Sequence, residues 1–285
     1  MNQISSHAQL LSMEKLHPFE GHPFKVLDNE DMAKLTESIQ SQGVLNPLVV
    51  RPLDSGDYEV ISGHRRLHAC RIAGLKNVPA LVYEMDRDQA AIALVDSNLH
   101  REHILPSEKA FAYKLKMEAM NRQGERTDLT STQVVSKLRT NELIGQESGE
   151  SREQVRRYIR LTELEPELLT MVDEGKIALT PAVELSYLKP EEQQHLLETM
   201  SSDDCTPSLS QAVNMKKLSQ SGMLNTDLID HIMSEPKANQ KEKISFKMED
   251  IRKFFPQGYD SFKIQETIMK LLVDYHKKRQ RHYER

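Results

Sequence analysis

Every run of residues that reads as a β-strand lies before Leu105, apart from the short Ile244-Ser-Phe-Lys; beyond Leu105 apolar residues recur at helical spacing. Such a division excludes one continuous sheet. It predicts an α+β chain, with a small α/β unit first and an all-helical part after it. Only 5% of the 285 residues are aromatic, Trp is absent and Met numbers 13, a balance that favours helices over an all-β core.

Within the first unit the spacing predicts the order α-β-β-α-β-α. Asn29 to Gln42 reads as a helix, capped by Asn29 and ended by Gly43, with Met32, Leu35 and Ile39 on one face. Pro47–Arg51 and Tyr58–Ser62 read as strands joined by the turn-rich Asp54-Ser-Gly-Asp57. Gly63 opens a short helix over Arg65–Ala73, Pro79–Tyr83 is a third strand, and Asp88 to about His100 is helical again. From Pro106 a helix is expected to near Gly124, with others over 131–138, 141–148, 151–161, 165–174, 181–188, 190–201, 207–220, 226–233, 248–255 and 260–280. Thr180-Pro181 and Thr206-Pro207 each read as a capping hydroxyl before a proline at the first helical position. The expected domains are a loose tail over 1–13, an α/β domain over 14–104, a helical domain over 105–233, a polar linker over 234–243 and a C-terminal region over 244–285.

The net charge of −5 excludes a uniformly basic nucleic-acid coat. Cys70 and Cys205 stand far apart with no CxxC, so neither a disulfide framework nor a zinc knuckle is expected and a reducing cytoplasm fits. No signal peptide is read at the N-terminus, and no apolar run approaches the roughly 18 residues of a membrane span.

Two stretches suggest anion chemistry. Tyr58–Cys70 runs strand, glycine, helix: Gly63 lets backbone approach a ligand, the helix start offers unpaired N–H groups, and Arg65 and Arg66 can fork onto anionic oxygens. The plainer alternative is an ordinary strand-to-helix turn with two solvated arginines. In Asp96-Ser-Asn-Leu-His-Arg-Glu102, the oxygens of Asp96, Asn98 and Glu102 suit Mg²⁺ and Arg101 adds charge, against the alternative of a polar helix end. His64, His68, His100 and His103 cluster near the two stretches, but no carboxylate–histidine motif accompanies them, which weighs against a transition-metal site.

A third stretch suggests DNA. Residues 141–161 hold a short helix, the turn Ser148-Gly149-Glu150, and a second helix that Ser151 and Gln154 open as a capping box. Val155, Tyr158 and Ile159 form its inward face, while Arg152, Arg156 and Arg160 recur every four residues with Arg157 beside them. Four arginines against one glutamate over 151–160 suit a recognition helix in a major groove better than a merely solvated surface, given the glycine turn before it. Arg152 and Gln154 are the expected base contacts; Ser131, Thr132 and Gln133 are placed to touch phosphate. Residues 163–204 carry eleven acids and two lysines and are read either as helices packed away from DNA that face a partner or as a solubilising surface.

The order HPFKV, SIQSQGVLNPLVV, ISGHRRLHACRIAGLKNVPALV, SNLHRE and ILPSEKAFAYKLKMEAM, followed by the helix-turn-helix, resembles the ParB family of plasmid and chromosome partition proteins over roughly residues 14–205. The resemblance implies a ParB/sulfiredoxin-like N-terminal domain and a dimeric clamp that binds CTP with Mg²⁺ and loads on a centromere-like, palindromic double-stranded DNA site. Mapped onto this chain, Gly63, His64, Arg65 and Arg66 would hold the triphosphate. Asn98 would help place metal and phosphates, with Asp96 as a second metal-side candidate, Arg101 nearby and Lys25 in the family's first box. His64, Ser97 and His100 stand where the family carries Glu, Glu and Gln. CTP hydrolysis follows from the resemblance alone, and serine is neither a strong metal ligand nor a general base. A ParA-type ATPase partner is implied too, although residues 1–20 show no arginine-bearing motif of the kind many relatives use. The resemblance also implies a cytoplasmic, nucleoid- or plasmid-associated protein with a C-terminal homodimer. Ile264, Ile268, Leu271, Leu272 and Tyr275 would supply a dimer seam or an intramolecular core, and Lys277–Arg281 a sequence-independent DNA contact. Two other readings remain open: a nucleotide-free helix-turn-helix repressor or nucleoid-occlusion-like protein, and a sulfiredoxin-like enzyme. The latter would need a cysteine where His64 stands.

Overall fold

The computed structural model describes residues 8–99, 101, 103–127, 133–203, 205–235, 248–256 and 258–283. The chain divides into two compact units, Met1–Glu235 and Pro236–Arg285.

The first unit begins with a five-stranded mixed sheet: β1 (Gln9–Ser12), β2 (Leu16–Pro18), β3 (Leu48–Pro52), β4 (Tyr58–Ser62) and β5 (Asn77–Val82). Their spatial order is β1-β5-β3-β4-β2. β3 and β4 pair antiparallel as expected, with Val50 opposite Val60. β3 and β5 run parallel, with Leu48 beside Ala80. The two edges correct the sequence reading. Residues 9–12 of the expected loose tail form β1, antiparallel to β5, and three residues after a 3₁₀ turn form β2, parallel to β4. Strands this short carry no readable alternation; they exist because the sheet offers them unpaired edges.

Alternation along β4 sorts the core. Val60 joins Met32 and Ile39 of α1 (Glu30–Gln42) and Leu67 and Cys70 of α2 (His64–Ile72), whereas Ile61 joins Ala91, Leu94 and Val95 of α3 (Arg87–Asp96) and Ala112 and Ala119 of α4 (Pro106–Thr127). Asn29 caps α1 by accepting the Met32 N–H at 3.1 Å, and Gly43 ends it at φ +73°, both as predicted. α4 runs three residues past Gly124.

α5 (Gln133–Ser148) is a single helix where two were expected. Thr140, read as a break, is buried and its hydroxyl donates to Asn121 Oδ1 at 2.9 Å, so the junction is held against α4 instead of opened. There follow α6 (Arg152–Arg160), α7 (Pro166–Asp173), α8 (Leu179–Leu185), α9 (Pro190–Asp203), α10 (Leu209–Gln220) and α11 (Thr226–Ser234), the last five packed around Leu168, Leu185, Leu196, Met215 and Ile229. The two Thr-Pro caps are not formed. α8 starts after Ala178 with Pro181 inside its first turn, and α10 is capped by Ser208 in a reciprocal box with Gln211.

The second unit contains α12 (Met248–Arg252) and α13 (Ser261–Tyr283) among its described residues. The expected linker and the Ile244–Lys247 strand lie mostly or wholly outside the described residues. On α13, Ile264 is buried, while Leu271, Leu272 and Tyr275 of the expected seam are exposed. No helix among the described residues is long and apolar enough to cross a membrane.

Candidate functional site

Between the end of β4, the start of α2 and the end of α3 lies a cavity of about 420 Å³, lined by Asp31, Leu35, Ser62, Gly63, His64, Arg65, Arg66, Ser97, Asn98 and Arg101. The two stretches singled out in the sequence are brought together here. Gly63 sits at φ +103°, and a Cβ on it would stand 2.6 Å from Leu48 Cδ2. Glycine is therefore required both by conformation and by space. The nine-residue α2 starts at His64, so its first N–H groups and dipole end border the cavity.

Three guanidinium groups share this wall. Arg65 has no hydrogen bond or ion pair with any described residue. Arg66 donates from Nη1 to the carbonyls of Asn46 and, at 2.8 Å, Pro47, so it also braces the loop before β3. Arg101 lies with its guanidinium carbon 5.3 Å from the centre of the Phe24 ring. Burial lowers the proton affinity of Arg101; Glu108 restores some of it and neighbouring Arg65 opposes it. Both remain cations at any working pH, so positive charge is concentrated on the wall.

His64 is almost fully buried and neutral. Its Nε2 accepts the Phe19 N–H at 3.3 Å, which puts the ring proton on Nδ1. Burial first, then the neighbouring His22 and Arg101, lowers its pKa to about 3. His22 donates from Nδ1 to Phe24 O at 2.7 Å, and burial lowers its pKa to about 4.

Asn98 is 5% exposed; its Nδ2 donates to Leu94 O at 2.7 Å and Ser97 Oγ at 3.2 Å, which leaves Oδ1 as its remaining ligand atom. The other expected metal-side residue, Asp96, does not line the cavity. Its carboxylate is bonded to the ammonium of Lys116. No group of three metal-ligating side chains occurs among the described residues. Lys25 is also elsewhere: its ammonium pairs with Asp173 at 3.0 Å and its N–H donates to Glu108 at 2.7 Å. His100 and Glu102 lie outside the described residues. Asp31 and Leu35 were missed in the sequence because nothing but the fold brings α1 to this wall, whereas Ser62 ends β4 inside the stretch already singled out but was given no role. Cys70 is buried inside α2, where burial pushes its thiol up, contrary to what a sulfiredoxin-like nucleophile needs.

The second site is built on α4, α5 and α6. Tyr113, Ile144 and Val155 form a small core with Tyr158 and Ile159 against it. The turn between α5 and α6 passes through Gly149 at φ +72°. Gly145 permits the turn to fold back: a Cβ there would lie 2.6 Å from Glu150 O. Ser151 caps α6 by accepting the Gln154 N–H at 3.1 Å, but the reciprocal bond of a capping box is not formed.

The arginines of α6 divide into two groups. Arg152 and Arg156 are exposed, and among the described residues Arg156 meets only Glu153, at 3.6 Å. Gln154 is half-buried beside them. Arg157 donates to Thr180 Oγ1 at 2.7 Å, and Arg160 donates to Ser186 Oγ at 3.1 Å and to Ser186 O at 2.5 Å. Arg160 also lies 4.1 Å from the centre of the Tyr187 ring, which Lys216 meets at 3.9 Å. The four-residue spacing thus produces two exposed cations and one built into the α6–α8 junction. Thr132 lies outside the described residues, as does the side chain of Gln133 at the start of α5.

The ParB N-terminal domain family matches residues 1–99, and the ParB HTH domain family matches residues 104–214. A probable chromosome-partitioning protein ParB of Vibrio cholerae is 30% identical over 243 residues, 85% of this chain and 77% of that protein. The chromosome-partitioning protein Spo0J of Thermus thermophilus is 34% identical over 184 residues, 64% of this chain and 61% of that protein. A C-terminally truncated Caulobacter crescentus ParB, solved complexed with CTP-γ-S, is 29% identical over 63% of this chain and 91% of that chain, with a TM-score of 0.31. With two adjoining family matches across the α/β and helix-turn-helix regions and a relative matched along most of its length, the chain belongs to the ParB family.

Proposed function

We propose that the chain is a DNA-binding partition protein that reads a centromere-like duplex with α6 and holds CTP in the cavity at Gly63. The observation that carries this reading is the convergence of Arg65, Arg66 and Arg101 on a glycine-opened helix start, in one unit with a helix that presents Arg152 and Arg156 to solvent. The cavity supports a triphosphate by charge and by N–H groups. The choice of cytosine rests on the family. Mg²⁺ fits only as a cation held chiefly by phosphate oxygens and water, with Asn98 Oδ1 as its protein ligand, because Asp96 is committed to Lys116.

Exposed apolar residues on α13 support a homodimer, and a two-fold dimer suits a palindromic site and a clamp around DNA. Segregation of a plasmid or chromosome, a ParA-type ATPase partner and association with the nucleoid or plasmid complete the reading.

The test is a titration of the purified chain with fluorescent CTP, ATP and GTP. CTP binding that Arg65→Ala weakens supports the reading, whereas equal binding of all three, or none, removes the nucleotide from it.

A further inference from the structure

Lys116 is 1% exposed, the most buried charged side chain among the described residues. Its ammonium lies between Asp96 of α3 and Glu147 of α5 and bonds both carboxylates. Each partner stands next to a different site. After Asp96 come Ser97 and Asn98, which line the cavity. After Glu147 come Ser148 and Gly149, which turn the chain toward α6. Two helical turns earlier on the same face of α4, Lys109 bonds Glu150 at 2.6 Å on the far side of that turn. The two lysines of one helix therefore grip the turn from both ends, and one of them also grips the end of the cavity helix.

A buried ammonium that loses one carboxylate is left with uncompensated charge in a medium that solvates it poorly. Displacing Asp96 therefore drives the ammonium toward water and loosens its hold on Glu147, and displacing Glu147 loosens its hold on Asp96 in the same way. We propose that Lys116 is a positioning residue shared by two sites, coupling the cavity end of α3 to the turn that precedes the recognition helix. The warrant is one charge divided between two anchors, not nearness alone. Its consequence for ligands rests on the function proposed above; the coupling itself does not.

Amide hydrogen exchange on the full chain tests it without ligand. Asp96→Asn and Glu147→Gln alter half-exposed partners and each leaves Lys116 one carboxylate and a neutral amide oxygen, so both variants are expected to fold. Asp96→Asn is expected to speed exchange of the Glu150 amide, which is bonded to Gly145 O at 2.8 Å. Glu147→Gln is expected to speed exchange of the Asn98 and Leu99 amides, both bonded to Val95 O at 3.0 Å. The effect should be about 3- to 30-fold, the range of coupling between linked sites. Lys116→Met should speed both sets together; if it does not fold, the two single variants carry the test. Distant amides that stay within twofold of wild type overturn the coupling. In a parallel CTP titration, Glu147→Gln should shift the affinity several-fold although Glu147 does not line the cavity. A wild-type chain that binds no CTP would remove the nucleotide reading and leave the exchange result, and the coupling it measures, untouched.

Discussion

The imidazole rings of His22 and His64 lie 3.7 Å apart, centre to centre, tilted by 39°. Each spends one ring nitrogen on the backbone of the 19–24 loop: His64 Nε2 accepts from Phe19 N, and His22 Nδ1 donates to Phe24 O. The His64 bond pins the loop after β2 to the start of α2 and lasts only while Nε2 is unprotonated, whereas the His22 bond stays within the loop and needs only the Nδ1 proton.

This gives the pH dependence its sign. Burial depresses both pKa values, to about 4 for His22 and about 3 for His64, below the ordinary 6.5 that the unfolded chain regains. Below pH 6.5 the unfolded chain therefore binds protons that the folded chain refuses. Their contribution to stability is complete above pH 6.5 and is lost as pH falls toward 4 and then 3. Urea midpoints measured at pH 7.5, 6, 5 and 4 should fall with pH less steeply in His22→Gln than in wild type; parallel curves would refute the assignment.

Gly63→Ala introduces a Cβ into a left-handed position already in contact with Leu48. Denaturation should show a loss of about 1–3 kcal/mol from the backbone strain alone. Nucleotide affinity should fall with it, because the wall that moves is the one carrying Arg65 and Arg66.

Those two arginines should separate. Arg65→Ala removes a cation with no described partner, so CTP affinity falls while the melting temperature holds. Arg66→Ala also releases the Asn46 and Pro47 carbonyls, so both quantities fall. Calorimetric titration and thermal unfolding of the same samples check this.

A similar separation is expected along α6. Arg152→Ala and Arg156→Ala should weaken binding to duplex DNA, and any that contacts phosphate should reduce the slope of log affinity against log salt by about one. Arg160→Ala should act first on stability, by about 1–3 kcal/mol, because it strips buried Ser186 and the Tyr187 ring of a half-buried partner. A salt slope lowered by Arg160→Ala with unchanged stability would contradict its place in the α6–α8 junction.

Asp173 accepts from Ser107 N at 2.9 Å, Ser107 Oγ at 2.6 Å and Lys25 Nζ at 3.0 Å, which fastens α7 to the start of α4 and to the loop before α1. Asp173→Ala should cost about 1–3 kcal/mol by leaving these donors unmatched. Urea unfolding measures it.

Much of this architecture was legible in the sequence where the signal was local. Asn29 and Gly43 bound α1 because a side-chain oxygen and a left-handed glycine act within one turn. The anion wall was legible because Gly63, Arg65 and Arg66 are neighbours in sequence, and Asn98 and Arg101 joined them through the family pattern. What escaped was decided at a distance. β1 and β2 exist only against β5 and β4. Thr140 continues a helix because Asn121 takes its hydroxyl. Arg160, Lys25 and Asp96 were assigned to ligands because their spacing or their family place suits ligands, yet each found a protein partner, Ser186, Asp173 and Lys116, that no local pattern announces.

The bare α-carbon of Gly145 has a consequence of its own. The chain reverses so closely after α5 that Glu150 O occupies the place a methyl group would take, and the Glu150 N–H closes the loop on Gly145 O. The angle at which Arg152 and Arg156 leave the surface is thus fixed by a missing side chain seven residues upstream of the first residue of the helix that carries them. Adding a single carbon there would re-aim the reading head while leaving every residue on its face intact.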